Sequence, residues 1–192
     1  MTEALPAEFQ DYLSFARVQQ RLAPRTLQVY TDALTRLQAL LADRALAPTQ
    51  LLTPQARRLA AQLHAEGLAP KSIALLLSCW RSCYRWLGRQ GRVSCNPFDG
   101  LRAPKAPKPL PKALSVDDAV QLASYTPAAA ADPALEARDH AVVELLYGSG
   151  LRLSELTGLD VQASAEASGW VDLDAAEGHV LGKGSKRRTA PL

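Results

Sequence analysis

From the N-terminus to Gly91, apolar side chains recur every three or four residues in four separate runs, which is the spacing of one helix face. Phe9, Tyr12, Leu13 and Phe15 make a first, short face. Leu27, Tyr30, Leu34, Leu37 and Leu41 make a second, which starts after Pro24; proline suits a first helical turn because its missing N–H would have no intrahelical partner there. Thr53 and Pro54 mark the start of a third helix and Gly67 its stop. The fourth carries Ile73, Leu76, Leu77, Trp80, Tyr84 and Leu87 on one stripe and ends at Gly91. Each stripe leaves water only against an apolar partner, so the four helices are expected to pack as a bundle over residues 1–95.

The pattern then breaks. Residues 96–111 read NPFDGLRAPKAPKPLP, a proline-spaced, basic stretch with Asp99 as its one acid, and the linker it predicts spans 96–113. A second domain is expected over 114–192. Ser115 and Asp118 stand at capping-box spacing before one helix, and another runs from Pro133 to Tyr147. Gly148-Ser149-Gly150 separates that helix from the next, LRLSELTGL. Trp170 to Leu173, His179 to Gly182 and Arg188 to Leu192 then read as three strands, the last two joined by the turn-rich Lys183-Gly184-Ser185-Lys186. The fold class is therefore mainly α: an N-terminal four-helix domain followed by an α+β domain with a small antiparallel sheet.

Composition narrows the class without naming a function. The chain has 192 residues, of which 47% are apolar and 21% charged, as in ordinary globular proteins. Cys79, Cys83 and Cys95 form no paired framework, and no histidine stands at ligand spacing from them, so reduced thiols are expected. The first residues lack the charged-then-apolar order of a leader, and no run of about 18 apolar residues occurs. A cytoplasmic location is the expectation. The formal charge of +3 permits a nucleic-acid partner without requiring one, so the distribution of charge decides.

That distribution is uneven. Arg81, Arg85, Arg89 and Arg92 recur along the fourth helix beside its apolar stripe, and the basic run continues into the linker through Lys105 and Lys108. Either a solvated face or a row of phosphate contacts fits an isolated helix; continuity with the linker favours phosphates. Leu22-Ala23-Pro24-Arg25-Thr26 and Leu68-Ala69-Pro70-Lys71-Ser72 repeat the same helix start, each setting a basic side chain and a hydroxyl where free N–H groups favour an anion. Proline, threonine and serine are also simply good helix starters, and that reading stays open. Lys183, Lys186, Arg187 and Arg188 crowd one hairpin with no acid after Glu177. Arg152, just after a glycine-flanked turn, suits either a phosphate or an ion pair with Glu155.

The strings LLYGSGLRLSELTGLD and VLGKGSKRRTAPL, in that order, resemble the tyrosine recombinase (phage integrase) family. NPFDGLRAPKAPKPLPKALSVDD resembles that family's domain junction and PRTLQVYTDAL its core-binding domain, so the resemblance covers the whole chain. It implies a helical core-binding domain at 1–95 and the N-terminal part of a catalytic domain at 114–192, the two closing around duplex DNA. It implies DNA cleavage and rejoining through a 3′-phosphotyrosyl link, with no metal or other cofactor. Arg152 would hold the scissile phosphate, and Lys183 would donate a proton to the departing 5′ hydroxyl. Arg25, Thr26, Lys71, Ser72, Arg81, Arg85, Arg89, Lys105, Lys108, Lys186 and Arg188 are the candidate DNA contacts.

The family pattern also asks for a His-x-x-Arg motif, a further His or Trp, and a tyrosine nucleophile after the hairpin. None is matched among these residues, so the catalytic domain is expected to be incomplete and the chain to bind DNA without cutting it. Glu155 would support Arg152 or an absent histidine. Residues 161–177 read as a tolerated loop insertion. The partners implied are a recombination site in double-stranded DNA, a sister recombinase, XerD, and the translocase FtsK, with a heterotetramer on DNA resolving chromosome dimers. A non-catalytic DNA-binding module and a purely structural remnant remain the alternatives.

Overall fold

The computed structural model describes residues 4–105, 113–125, 132–182, 184 and 186–192. The chain divides into two compact units, Met1–Pro109 and Leu110–Leu192.

The first unit is built from α1 (Ala7–Val18), α2 (Pro24–Ala42), α3 (Thr53–Ala65) and α4 (Pro70–Arg89), with a short 3-10 turn at Pro48–Gln50. Pro24, Pro54 and Pro70 each lie in the first turn of their helices, where no backbone bond is lost. The predicted stripes meet in one core: Phe9, Tyr12, Leu34, Leu37, Leu59, Leu63, Ile73, Trp80, Tyr84 and Leu87 are fully buried. Several buried polar tips find partners inside it, whereas the buried Trp86 indole N–H has none among the described residues. The Trp80 indole N–H donates to the Ala33 carbonyl at 2.7 Å, and the Tyr84 hydroxyl donates to the Pro48 carbonyl at 2.7 Å. Burial pushes the Tyr12, Tyr84 and Cys83 ionisations upward and the Cys79 thiol to about 11, so all four stay neutral near pH 7.

The helical unit continues past α4. Residues 96–103, read from composition as the start of a linker, lie against α4 because Phe98 is an anchor: it is fully buried, 5.3 Å from Trp80 and 5.2 Å from Tyr84 between ring centres. Asn96 fixes the turn, its amide donating to the Arg81 carbonyl at 3.0 Å and its carbonyl oxygen accepting from Phe98 N–H at 3.0 Å.

The second unit holds α5 (Val116–Ala123), α6 (Pro133–Gly148) and α7 (Leu153–Leu156), then β1 (Leu159–Asp160), β2 (Gly169–Asp172), β3 (Glu177–Leu181) and β4 (Arg187–Pro191). Ser115 caps α5 by accepting from Asp118 N–H at 3.1 Å, as its spacing predicts. Asp132 caps α6. The sheet has the order β1-β2-β3-β4, antiparallel except that β1 runs parallel to β2. Sequence reasoning expected three antiparallel strands and a helix through 159. The helix lasts one turn instead, ending at Leu156 with Thr157 as its C-cap, and Leu159 and Asp160 leave as the extra strand. Residues 161–168 are the connection that brings β2 alongside in parallel register.

Alternation along β4 sends neighbouring arginines to opposite faces of the sheet. Arg187 lies over Trp170, 5.2 Å from its ring centre, and Trp170 stacks on His179 at 4.6 Å. Arg188 turns the other way, to the side of Val180 and Ala190, which are buried with Leu151. Neither α5 nor α6 contains a fully buried residue. Among the described residues, no helix is long and apolar enough to cross a membrane.

Candidate phosphate and nucleic-acid interface

The chemistry of the second unit gathers at Glu155, whose side chain is 1% exposed. It stands in the first turn of α7 and reaches back to the start of that helix, accepting from Arg152 N–H at 2.8 Å, which is the acidic half of a capping box. The Arg152 guanidinium donates to its other oxygen at 2.8 Å. Arg188, arriving from β4, donates through Nη2 at 2.8 Å and through Nε at 3.4 Å. A buried carboxylate without cationic donors is costly; this one has two guanidinium groups and a backbone amide. The Arg188 hydrogen bond first, and the Arg152 N–H after it, hold the carboxyl at about 2 against an ordinary 4.5.

Arg152 is bound at one corner only. Its side chain is 63% exposed, so most of its donors face solvent while Nη1 is fixed from behind. A planar fork held in this manner suits one phosphate group. The hairpin comes close at Gly182: a Cβ there would lie 3.4 Å from Glu155 Oε1 and 4.0 Å from Arg152 Nη1. Gly182 N–H donates to the Lys186 carbonyl at 2.8 Å and closes the hairpin stem. Lys183 lies outside the described residues, as does Lys108. Lys186 is exposed.

The arginine row on α4 is not one ridge. Arg81, expected as a DNA contact, lies on the chain itself, donating to the Phe98 carbonyl at 3.1 Å, which also accepts from Leu101 N–H, and to the Leu101 carbonyl at 2.7 Å. Arg92 pairs with Asp11 at 2.8 Å and lies over Trp86. Arg85 and Arg89 remain exposed. Arg188 likewise spends donors within the chain, on Glu155, while its side chain stays 38% exposed.

The repeated helix starts are present, with Ala23 and Ala69 in the cap positions and no side-chain cap at either. Arg25, Lys71 and Ser72 are exposed and Thr26 is half-buried. Lys71 shares a groove of about 390 Å³ with Arg81 and Arg102, the latter carried on the segment that Phe98 anchors. Arg102 was not singled out by sequence; its only signal is a cation one residue after an apolar anchor, Leu101. Lys105 is exposed beyond it. Of the histidines, His64 is exposed, His140 sits 3.8 Å from Glu144, and His179 is taken up by Trp170.

Comparison with known proteins gives a consistent relationship. Residues 8–91 match the family described as phage integrase, N-terminal SAM-like domain. The chain is 50% identical over 188 residues to the tyrosine recombinase XerC of Ralstonia pickettii (strain 12J), covering 94% of this chain and 56% of that protein. It is 41% identical over 194 residues to the tyrosine recombinase XerC of Salmonella typhi, covering 100% of this chain and 61% of that protein. It therefore spans less than two thirds of the length of these curated relatives. Among solved structures, lambda integrase bound to DNA is similar with a TM-score of 0.68 at 17% identity, over 98% of this chain and 60% of that one. A lambda integrase dimer bound to a COC′ core site gives 0.67 at 16% identity, over 96% and 47%. At such identities the likeness is one of fold.

Proposed function

Because this chain belongs to the tyrosine recombinase family, we propose that it grips a recombination site in duplex DNA and seats one scissile phosphate on Arg152. Residues 1–95 form the core-binding part, 96–113 the strap leading to the catalytic part, its first residues 96–103 packed on the helical unit, and 114–192 a portion of that catalytic part. The whole protein is a XerC-type site-specific recombinase, cutting one strand through a 3′-phosphotyrosyl link and resolving chromosome dimers in the cytoplasm. It works in a heterotetramer with XerD under FtsK. The observation that carries this reading is the exposed Arg152 guanidinium, fixed through one corner by a buried carboxylate next to the hairpin glycine.

The division of labour follows from phosphoryl-transfer chemistry, which asks for charge neutralisation, alignment and a leaving-group acid. Arg152 neutralises charge on the non-bridging oxygens. Lys183 protonates the leaving 5′ hydroxyl. Arg25, Thr26, Lys71, Ser72, Arg85, Arg89, Lys105, Lys108 and Lys186 supply backbone contacts that fix register without reading bases.

A polypeptide of these 192 residues binds without cutting. Its tyrosines support that: Tyr12 and Tyr84 are fully buried with ionisations pushed upward, and Tyr30, Tyr125 and Tyr147 all precede the hairpin. The test is a gel-shift titration against a duplex carrying a chromosomal-dimer resolution site and against a scrambled duplex, over a series of salt concentrations. Specific, salt-sensitive binding with no covalent adduct is expected. Absence of binding at low salt overturns the DNA-gripping reading, and a covalent adduct overturns the non-cutting one.

A further inference from the structure

We infer that Arg188 is a positioning residue for the reaction rather than a DNA ligand: it holds Glu155 in place, and Glu155 in turn fixes Arg152 beside Gly182. The inference rests on the reading of Arg152 as the phosphate-holding group and deepens it.

Three observations carry it. Arg188 meets Glu155 with two nitrogens, Nη2 at 2.8 Å and Nε at 3.4 Å, so the fork engages both carboxylate oxygens. The same two oxygens are those that Arg152 uses, Oε2 for its backbone N–H and Oε1 for Nη1, both at 2.8 Å. One carboxylate therefore orients two arginines from separate elements, and neither can turn without disturbing the other. The connection from Arg188 back to Gly182 is short and closed by the Gly182–Lys186 bond, which ties the hairpin stem to the same point. The neighbour Arg187 supplies the contrast: it faces Trp170 on the opposite side of the sheet and has no part in this array. Crowding of four cations in one hairpin suggested anion contacts for all of them, yet the strand's alternation turns Arg188 to the face that carries Glu155, where its side chain is 38% exposed.

Among the described residues, the charged groups facing Glu155 are Arg152 from the start of α7 and Arg188 from β4, with Gly182 at the end of β3 beside them. Loss of Arg188 removes the main cause of the low Glu155 ionisation, so protonation of Glu155 then begins at a higher pH.

The experiment measures the salt dependence of binding to the resolution-site duplex for the 192-residue chain and for Arg152→Gln, Arg188→Gln, Arg188→Lys and the double Gln variant. Each phosphate contact contributes about 0.9 to the slope of log K against log salt. Arg152→Gln is expected to lower the slope by about one contact, Arg188→Gln by the same amount, and the double variant by no more than either. Arg188→Lys is expected to recover most of the slope. Binding by Arg188→Gln is expected to weaken with acidification at a higher pH than binding by the unsubstituted chain. A double variant that loses two contacts makes Arg188 a direct phosphate ligand and overturns the inference. A lower Tm for Arg188→Gln with an unchanged slope overturns it also, since Arg188 would then only support the fold. If Arg152→Gln itself leaves the slope unchanged, the phosphate reading of Arg152 fails and the inference falls with it. Tryptophan indole signals from Trp170 report in each variant whether the sheet has formed.

Discussion

The two units solve the same problem of leaving water by different means. The helical unit buries large side chains in quantity, with Phe9, Tyr12, Trp80, Tyr84 and Phe98 fully enclosed and their polar tips paired with backbone or hydroxyl oxygens. The second unit encloses Leu151, Ala167, Val180 and Ala190, small or single side chains, together with one carboxylate, Glu155. Apolar burial stabilises at about 25 cal/mol per Å² and depends weakly on pH, whereas a buried carboxylate shared by two arginines depends on pH directly. The first unit is a scaffold whose stability is spread over many contacts. The second concentrates its specificity in one group, which is also the group nearest the proposed chemistry.

The strongest way to break this contrast is Trp80→Ala. It removes the largest enclosed side chain and the donor to Ala33, and is expected to cost about 3–5 kcal/mol of helical-unit stability in urea denaturation. The Trp170 indole resonance should stay in place over the range where that of Trp86 is lost; a joint loss would mean that the two units melt as one.

A pH titration sharpens the contrast from both ends. The Glu155 carboxyl is held at about 2, below its ordinary 4.5, so its contribution is complete above about 4.5 and is lost as pH falls towards 2. The Tyr12, Tyr84 and Cys83 ionisations and that of Cys79 are raised by burial. Their contribution is present below ordinary values of 9.0 for the thiols and 10.0 for the phenols, and is lost as pH rises through the folded values. Acid should therefore broaden the Trp170 signal first, and alkali the signals of Trp80 and Trp86. The reverse order would place the pH-sensitive core in the wrong unit.

The smallest effect is expected from Arg92→Ala. Its pair with Asp11 is 39% and 49% exposed, and its contact with Trp86 lies at the surface, so the change in Tm should correspond to under about 1 kcal/mol. A larger loss would show that the end of α4 depends on charge as the sheet does.

The helical faces were legible because a period near 3.6 is written directly into Leu27, Leu34, Leu37 and Leu41 and into Ile73, Leu77, Trp80 and Tyr84. The fate of Phe98 was less so: a single aromatic among prolines carries no period, and its burial follows from a gap between Trp80 and Tyr84 that only three dimensions define. Arg152 stood out through its turn and the strings around it. Its dependence on Arg188 was not readable, since the two lie 36 positions apart and the link runs through Glu155. The arginine row on α4 was legible only in part, for a related reason. Spacing fixes which residues share a face, but the carbonyls of Phe98 and Leu101 decided where Arg81 would point. The strand Leu159–Asp160 was missed because two residues are too few to show alternation.

The two adjacent arginines of β4 also set a rule for how the hairpin can change over generations. Because strand side chains alternate with a period of two, inserting or deleting one residue between Gly182 and Arg187 would swap their faces, turning Arg187 towards Glu155 and Arg188 towards Trp170. Arginine at both positions makes such a slip partly self-correcting, since either frame offers the carboxylate a guanidinium. Lineages of this hairpin are therefore expected to drift in length more readily than a strand with a single arginine would allow.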